Sequence, residues 1–316
     1  MSLNKLPALH NWLRLRHLQL IATLADTGNM HATAQQMGLS QPAVSKMLRE
    51  IEQMLGFQLF DRQPRELVAT EMGVPVIVYA RRTLNDSQHF AQELETLRQG
   101  GYGHLRVGAI FAATAQAVPR ALLQLKHQRP LLTVELLEHT SDHLLQMLLH
   151  KQLDLVIGRF TEPRQQEHFT YQEVASEPFL LCAASNHPLA AEAKPSARDL
   201  EQWPWVVYPP NTPLRRMFEQ AFIDARTQFP RNRVETASVQ STLHLLQEGQ
   251  ALALLPEAIA RQQVELRQLA LLHPPLQTPS LGYGLIWRKD EPMSANAAQF
   301  CEALQLVLGE ADNRSL

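Results

Sequence analysis

The first 55 residues repeat apolar side chains at the period of a helix rather than of a strand. The first predicted helix covers residues 16–26, with apolar positions three or four apart at Leu18, Ile21, Ala22 and Ala25. The turn sequence Thr27-Gly28-Asn29 follows, and a short second helix is predicted from His31 to Met37. Gly38 ends it, because glycine readily adopts the left-handed conformation that terminates many helices.

A third predicted helix begins after Ser40, a good N-cap residue, and carries Pro42 in its first turn. Its apolar residues follow a 4-3-4 spacing: Val44, Leu48, Ile51 and Leu55. The opposite face is polar and basic, with Gln41 beside it at the N-terminal end, and carries Pro42, Ser45, Lys46, Arg49 and Gln53. Two short helices, a tight turn and this third helix predict a helix-turn-helix. Periodicity alone also allows an amphipathic surface helix that binds nothing.

Residues 59–68 predict a wing beside the helix-turn-helix. Two short extended runs flank a turn that contains Pro64. Arg62 and Arg65 lie near the tip of this turn. Basic side chains at such a tip suit contact with nucleic acid backbone.

A long helix is predicted to follow, from Met72 to about Arg98. Its seam repeats at 4-3-4-3-4-3 spacing, which is typical of a coiled coil, through Val76, Ala80, Thr83, Ser87, Phe90, Leu94 and Leu97. We therefore predict dimerisation through this helix. The alternative is a helix that packs against its own domain. The flexible run Gly100-Gly101-Tyr102-Gly103 then marks a domain boundary.

Residues 104–316 alternate predicted strands with predicted helices. The first unit has the order βαβαβ, which indicates a parallel sheet covered on both faces; its segments are 105–110, 117–126, 132–137, 141–151 and 153–158. A second such unit is predicted after about residue 172. The last strand, residues 281–287, and a helix over 296–308 complete the chain.

The amino-acid composition of the chain limits the classes of function that it can have. With 316 residues, the chain is long enough for two or more domains, and its 45% hydrophobic and 19% charged residues describe an ordinary globular protein. No apolar run approaches the roughly 18–20 residues of a membrane helix, and the N-terminus lacks a signal-peptide pattern, which predicts a cytoplasmic protein without a membrane partner. The net charge is −2. Any DNA binding would therefore depend on where particular residues lie.

Enzyme and metal signatures are missing from the sequence. It contains no G-x-S-x-G and no H-E-x-x-H motif. Cys182 and Cys301 are far apart, and His139 and His143 lack a further ligand at helical spacing. We expect no catalytic residues, no metal site and no cofactor. The alternatives are a DNA-tethered enzyme, or a small-molecule-binding protein without regulatory output.

Three segments are similar to LysR-type transcriptional regulators. Residues 34–46 resemble the helix-turn-helix signature of that family and read AQQMGLSQPAVSK. Residues 55–62, LGFQLFDR, resemble the segment that follows it, and residues 70–73, TEMG, resemble the start of its linker helix. The match is dense from about residue 13 to 73. Within the family, the chain looks most similar to the galactose-binding-protein and protocatechuate regulators.

The resemblance implies an α/β protein with an all-α N-terminal winged helix-turn-helix at 13–70 and a linker, or dimerisation, helix at 71–99. A two-lobed Rossmann-like sensor domain would occupy 104–316 and resemble type 2 periplasmic binding proteins. Lobe I would hold 104–162 and 277–316, and lobe II would hold 163–276. The implied function is that of a sequence-specific DNA-binding regulator. A small-molecule effector bound between the lobes would switch its promoter activity.

The resemblance also implies partners and DNA contacts. The partners would be double-stranded promoter DNA, the effector, further copies of the chain in a homodimer or homotetramer, and RNA polymerase as a candidate. The third helix would enter the major groove, and the wing arginines would reach the backbone or the minor groove. The expected DNA-binding residues are Ser40, Gln41, Pro42, Ser45, Lys46, Arg49, Arg62 and Arg65.

Effector contacts follow from a general rule for open α/β sheets, which bind ligands at the carboxyl ends of strands and at helix N-termini. The rule selects Phe111, Ala112, Thr140, Arg159, Thr212, Ser238 and Ser241. Thr140 and Thr212 are alternatively helix caps. Arg159 is alternatively a surface or inter-lobe contact.

Overall fold

The first three helices end where the sequence provides glycines. In the computed structural model, α1 (Leu15–Thr27) ends at Gly28 and α2 (Met30–Met37) ends at Gly38, both with positive φ. Asn29 caps α2, because its side-chain oxygen accepts the N–H groups of His31 and Ala32 at 2.8 and 3.1 Å. Such a cap satisfies backbone donors that the first turn leaves unpaired.

The structure describes residues 13–63, 66–98, 101–114, 117–191, 195–210, 212–273, 276 and 280–312. The chain forms two compact units. One contains the residues up to 101 together with 149–152, and the other contains 102–148 and 153–316. Within the described ranges, no helix has both the length and the apolar character needed to cross a bilayer.

The N-terminal unit is a helix-turn-helix with a two-stranded wing. Helix α3 (Gln41–Leu55) follows the Ser40 cap, and β1 (Phe60–Arg62) pairs antiparallel with β2 (Leu67–Ala69). The apolar face predicted for α3 is buried with α1 in one core. Glu52 joins helix to wing, since its carboxylate accepts the N–H of Leu59 at 2.8 Å. The predicted wing is therefore observed.

The predicted long helix is observed as α4 (Gly73–Arg98). Its first half belongs to the core of the N-terminal unit. Ile77 and Ala80 are buried in that core, and Val76 and Leu84 pack against it. Gly73 is required at the start, because a Cβ there would overlap the carbonyl oxygen of Leu59.

The second unit contains two five-stranded sheets, one in each lobe. The lobe I sheet has the order β4-β3-β5-β12-β6, formed by β3 (His104–Ala109), β4 (Thr133–Glu138), β5 (Leu155–Gly158), β6 (Phe169–Glu177) and β12 (Leu281–Arg288). The lobe II sheet has the order β11-β7-β10-β8-β9, formed by β7 (Phe179–Ala184), β8 (Trp205–Val207), β9 (Arg233–Glu235), β10 (Leu252–Pro256) and β11 (Leu269–Leu272). Both sheets are mixed rather than parallel, since β12 runs antiparallel to its neighbours and so does β7.

Helices cover these sheets. In lobe I they are α5 (Phe111–Thr114), α6 (Ala117–Gln128), α7 (Ser141–Leu149) and α12 (Ala295–Asp312); in lobe II they are α8 (Ala197–Glu201), α9 (Pro213–Asp224), α10 (Val239–Glu248) and α11 (Glu257–Glu265). Helix α12 packs on α6, so the C-terminus returns to lobe I as expected. The lobe II core is aromatic, with the Trp205 ring tilted against Phe218 and edge-to-face with Phe222.

The boundary that we predicted between lobes I and II, at residues 162 and 163, is wrong. Strand β6 pairs with β12 along its whole length and therefore belongs to lobe I. The chain crosses to lobe II only at Pro178, between β6 and β7. Strand β6 lies at the edge of its sheet, so it needs no continuous apolar run, and its sequence FTYQEVASE resembles a loop. The predicted return crossing at 274–279 lies mostly outside the described residues.

Candidate functional sites

The outer face of α3 is open to solvent, as its periodicity predicted. Gln41, Pro42, Lys46 and Arg49 are exposed and Ser45 is half-buried, whereas Val44, Leu48 and Ile51 are buried on the opposite side. The exposed residues make few contacts that would hold them in place. Lys46 Nζ lies 3.9 Å from a Glu50 carboxylate oxygen, and Arg49 Nε donates to the Ser45 carbonyl at 3.2 Å.

Three of the predicted DNA contacts lie outside the exposed face of α3. The Ser40 hydroxyl accepts the N–H of Ala43 at 3.4 Å, so its side chain serves as the N-cap of α3. Arg62 is the last residue of β1. Arg65, which we expected near the tip of the wing, lies outside the described residues.

The predicted dimerisation seam divides into two halves. Ala80 is completely buried within its own unit, so it is not on a surface available to a partner, whereas Val76 is half-buried and packs against the same core. For Ala80, the structure therefore shows the alternative of a helix packed on its own domain. Further along, Phe90 and Leu94 are 63% and 48% exposed. Thr83 is half-buried, and its hydroxyl donates to the Tyr79 carbonyl. Leu97 lies in the last turn of α4.

A cleft of about 610 Å³ lies between the lobes of the second unit. Six of the seven predicted effector contacts line it: Phe111, Ala112, Thr140, Arg159, Thr212 and Ser238. Ser241 does not, and its prediction as a lining residue is wrong. Its hydroxyl instead donates to Ser238 Oγ at 3.0 Å, and its backbone N–H donates to the same oxygen at 3.2 Å. Its neighbours Val239 and Gln240 in the first turn of α10 do line the cleft.

The two threonines at the cleft differ in how their hydroxyls are used. Thr212 Oγ1 donates to the Pro209 carbonyl at 2.9 Å and accepts the N–H of Arg215 at 3.2 Å. This is an N-cap, so the capping alternative accounts for Thr212. Thr140 precedes α7, but its hydroxyl lies 3.2 Å from His139 Nδ1 rather than on the helix backbone. Of the two, Thr140 has the hydroxyl better suited to a ligand.

Arg159 lies at the carboxyl end of β5 and is almost fully buried. Its Nε donates to the Gly282 carbonyl at 3.0 Å, and Nη2 donates to the Leu281 carbonyl at 3.3 Å. Nη2 also lies 3.7 Å from Glu177 Oε2. These contacts all lie within lobe I, so among the described residues Arg159 is neither a surface side chain nor hydrogen-bonded to lobe II.

Sequence reasoning missed Glu177, which lines the cleft and ends β6. Strands β5 and β6 are each antiparallel to β12, so they run in the same direction and their carboxyl ends reach the same sheet edge. The strand-end rule would have selected Glu177 if β6 had been predicted. Burial raises the pKa of its carboxyl group to about 7, although the Arg159 charge acts in the opposite direction.

Tyrosines adjoin this pair from both lobes. Tyr208, which follows β8, lines the cleft, and burial together with the Glu177 charge raises its pKa. The same two causes raise the pKa of Tyr283 on β12 to about 12. Apolar side chains supply much of the remaining lining: Ile110, Phe179, Leu214, Val239, Leu243 and Ile259. The cleft thus combines an apolar wall with a few convergent polar groups, as small-molecule sites do.

The histidine pair and the cysteines show features of structural residues. The rings of His139 and His143 stack with centroids 3.9 Å apart, and burial and the neighbouring His143 lower the pKa of His139. Among the described residues, no three His, Cys, Asp or Glu side chains are grouped to hold a metal ion. Burial raises the pKa of the Cys182 thiol to about 12 and that of Cys301 to about 11, which opposes thiolate formation.

Both units match one protein family. Residues 15–74 match the bacterial regulatory helix-turn-helix of the lysR family, and residues 98–308 match the LysR substrate binding domain. The chain belongs to the LysR family. It is a transcriptional regulator, with a DNA-binding helix-turn-helix and an effector-binding domain, and not an enzyme.

The named relatives of this LysR-family chain are transcriptional regulators, and they match it over nearly their full length. The transcriptional regulator GbpR of Azospirillum brasilense is 30% identical over 322 residues, which cover 100% of this chain and 94% of that protein. PcaQ of Agrobacterium fabrum (strain C58 / ATCC 33970) is 24% identical and covers 94% of this chain and 96% of its own length. Relatives with other names match over similar lengths, so the subgroup stays a prediction.

Solved LysR structures share the fold. CbnR, a LysR family transcriptional regulator, aligns with a TM-score of 0.65 at 22% identity over 94% of this chain and 99% of that one. The effector binding domain of QuiR, solved in complex with shikimate, aligns with a TM-score of 0.58 at 14% identity. It covers 66% of this chain and 99% of that one.

Proposed function

We propose that the effector of this LysR-family regulator binds in the cleft between the two lobes. The observation that supports this site is the cavity of about 610 Å³, which is lined by strand ends and helix starts of both lobes. A molecule that touches both lobes favours one relative arrangement of them. That bias is sufficient to couple effector binding to DNA binding.

A cavity-filling substitution tests this site. Ala112→Trp places an indole in the cleft and should abolish the thermal stabilisation that an effector gives. Ala295→Trp adds the same side chain at an exposed position at the start of α12, away from the cleft, and should leave stabilisation unchanged. Differential scanning fluorimetry against a metabolite panel measures both. Effector binding that survives Ala112→Trp would place the site elsewhere.

We further propose that the exposed face of α3 reads the operator. Gln41 is suited to an adenine edge, and Pro42 is suited to apolar contact with a thymine methyl group. Lys46 and Arg49 are suited to phosphate or base contact, and Arg62 and Arg65 of the wing to the backbone. The solvent exposure of the α3 residues supports this assignment. Footprinting of the promoter beside the gene with purified protein tests it.

For assembly, we propose that the C-terminal half of α4 pairs with a second subunit. Phe90 and Leu94 support this, because a helix that exposes large apolar side chains at seam spacing favours a partner. A homotetramer, built as two such dimers, and contact with RNA polymerase remain proposals that follow from family membership. A regulator that binds promoter DNA would act in the cytoplasm.

A further inference from the structure

Glu177 has a buried carboxylate oxygen without a hydrogen-bond donor. The residue is 7% exposed and lines the cleft. Among the described residues, no donor reaches its Oε2, and the nearest cationic atom, Arg159 Nη2, lies 3.7 Å away. Buried polar atoms are nearly always hydrogen-bonded, so an unpartnered acceptor at a cavity wall calls for a donor from outside the chain.

The side-on edge of the Arg159 guanidinium, formed by Nε and Nη2, is already occupied by backbone carbonyl groups. A planar two-pronged contact to a carboxylate uses two neighbouring guanidinium nitrogens. The edge formed by Nε and Nη2 already donates to the Gly282 and Leu281 carbonyls. The guanidinium is therefore held along the start of β12, beside Glu177, and an anionic ligand near it would meet the Glu177 charge.

We propose that the effector is an uncharged molecule with a hydroxyl group that donates a hydrogen bond to Glu177 Oε2. This inference rests on the proposed site in the cleft. A ligand cation at this position would be repelled by Arg159, and a ligand anion by the ionised form of Glu177. An uncharged hydroxyl donor meets neither repulsion and satisfies the orphaned Glu177 Oε2. Gln263 lines the same cleft and also has a buried side-chain oxygen without a hydrogen-bond partner among the described residues, and such a molecule could donate to it as well. Tyr208 and Thr140, which also line the cleft, are suited to further hydroxyl groups of the same molecule.

The proposal determines the sign of a pH dependence. Glu177 is faced by Arg159 at the end of β5, Tyr283 on β12 and Tyr208 after β8. The arginine stays charged and the tyrosines stay neutral near pH 7, so Glu177 is the member of this group that titrates there. A donated hydrogen bond favours the ionised carboxylate, and binding should therefore strengthen as the pH rises.

The increase of effector affinity with pH has an upper limit. If only the ionised form binds, affinity should increase about tenfold between pH 6 and pH 8. A carboxylate effector would show the reverse, because it would bind the protonated form. His139 also lines the cleft and is titratable, with a pKa that burial lowers, so His139→Gln is the control and should keep the slope.

The experiment tests the full-length protein against small molecules that share a carbon skeleton and differ in one functional group. Sugar alcohols, cyclic alcohols and aromatic alcohols are each tested beside the amine and the carboxylic acid of the same skeleton, first by scanning fluorimetry and then by calorimetry. We expect the alcohols to stabilise the protein and to bind more tightly at pH 8 than at pH 6. Glu177→Gln should weaken the best alcohol at least about tenfold and remove the slope.

The possible results distinguish a failure of the hydroxyl proposal from a failure of the cleft proposal. If carboxylates or amines stabilise the protein and Ala112→Trp abolishes that effect, the cleft is the site and the hydroxyl proposal is overturned. If no probe in the panel gives a stabilisation that Ala112→Trp abolishes, the cleft proposal fails and this one with it. Should Glu177→Gln not fold, the pH dependence of wild-type binding decides, since a flat or falling affinity overturns the proposal.

Discussion

At the scale of single residues, some side chains at helix starts cap the helix, whereas others keep a polar group available to a ligand. Ser40 and Thr212 both use their hydroxyls as N-caps. Thr140 stands at an equivalent helix start, but its hydroxyl lies against a histidine ring. All three are hydroxyl residues directly before a helix, so the sequence gives them the same expected role, and only the hydrogen bonds in the folded chain distinguish them.

The two threonines should respond differently to valine, which is isosteric but lacks the hydroxyl. Thr212→Val removes an N-cap and should reduce the free energy of unfolding by about 1 kcal/mol, with effector affinity retained. Thr140→Val should leave stability nearly unchanged and weaken effector binding. Urea unfolding and calorimetry measure the two quantities. Equal stability losses in both variants would contradict this division.

Lys46 should matter for DNA and not for folding. Its ion pair with Glu50 joins side chains that are 75% and 56% exposed, and such surface pairs contribute little to stability. Lys46→Ala should weaken operator binding by about 1–3 kcal/mol while the melting temperature stays unchanged. Lys289→Ala removes the same charge from an exposed site in the effector-binding domain and should have little effect on either quantity. Fluorescence anisotropy on operator DNA compares them.

At the scale of elements, α4 serves two purposes along one helix. Its first half completes the core of the winged unit through Ile77 and Ala80, whereas its second half exposes Phe90 and Leu94. A heptad pattern in the sequence shows only that one face of the helix is apolar. Whether that face packs on its own unit or on another subunit depends on which elements already cover it.

Assembly should therefore be sensitive to charge in the second half of α4. Phe90→Asp or Leu94→Asp would bury an unpaired carboxylate in the subunit contact, and analytical ultracentrifugation should show a smaller assembly than wild type. Gln88→Asp adds the same charge at an exposed position on this helix, off the seam, and serves as the control. An unchanged sedimentation coefficient in both seam variants would exclude this half of α4 from the interface.

At the scale of the whole molecule, sensing requires that effector and DNA change each other's affinity by the same factor. A coupling of about 1–3 kcal/mol corresponds to roughly 5–150-fold. We expect the ratio of operator affinities with and without a saturating effector to equal the ratio of effector affinities with and without operator DNA. Anisotropy and calorimetry supply the two ratios. Unequal ratios would mean that a third species takes part in the switch.

The sequence by itself determined the helix-turn-helix and most elements of the effector-binding domain. Periodicity and caps are local properties, so Val44, Leu48 and Ile51 could be assigned to the core of the winged unit without knowing any distant partner. Most strand ends at the cleft were found for the same reason, because buried strands of an α/β sheet read as short apolar runs.

Only the tertiary structure decided the position of β6 and, with it, the Arg159–Glu177 pair. An edge strand needs no apolar run, so the pairing of β6 with β12 left no local signal. Its register brings Glu177 beside a residue 18 positions earlier in the chain, 3.7 Å from Arg159. The burial of Ala80 was decided in the same way, because contacts between distant segments select among the faces that a periodic sequence offers.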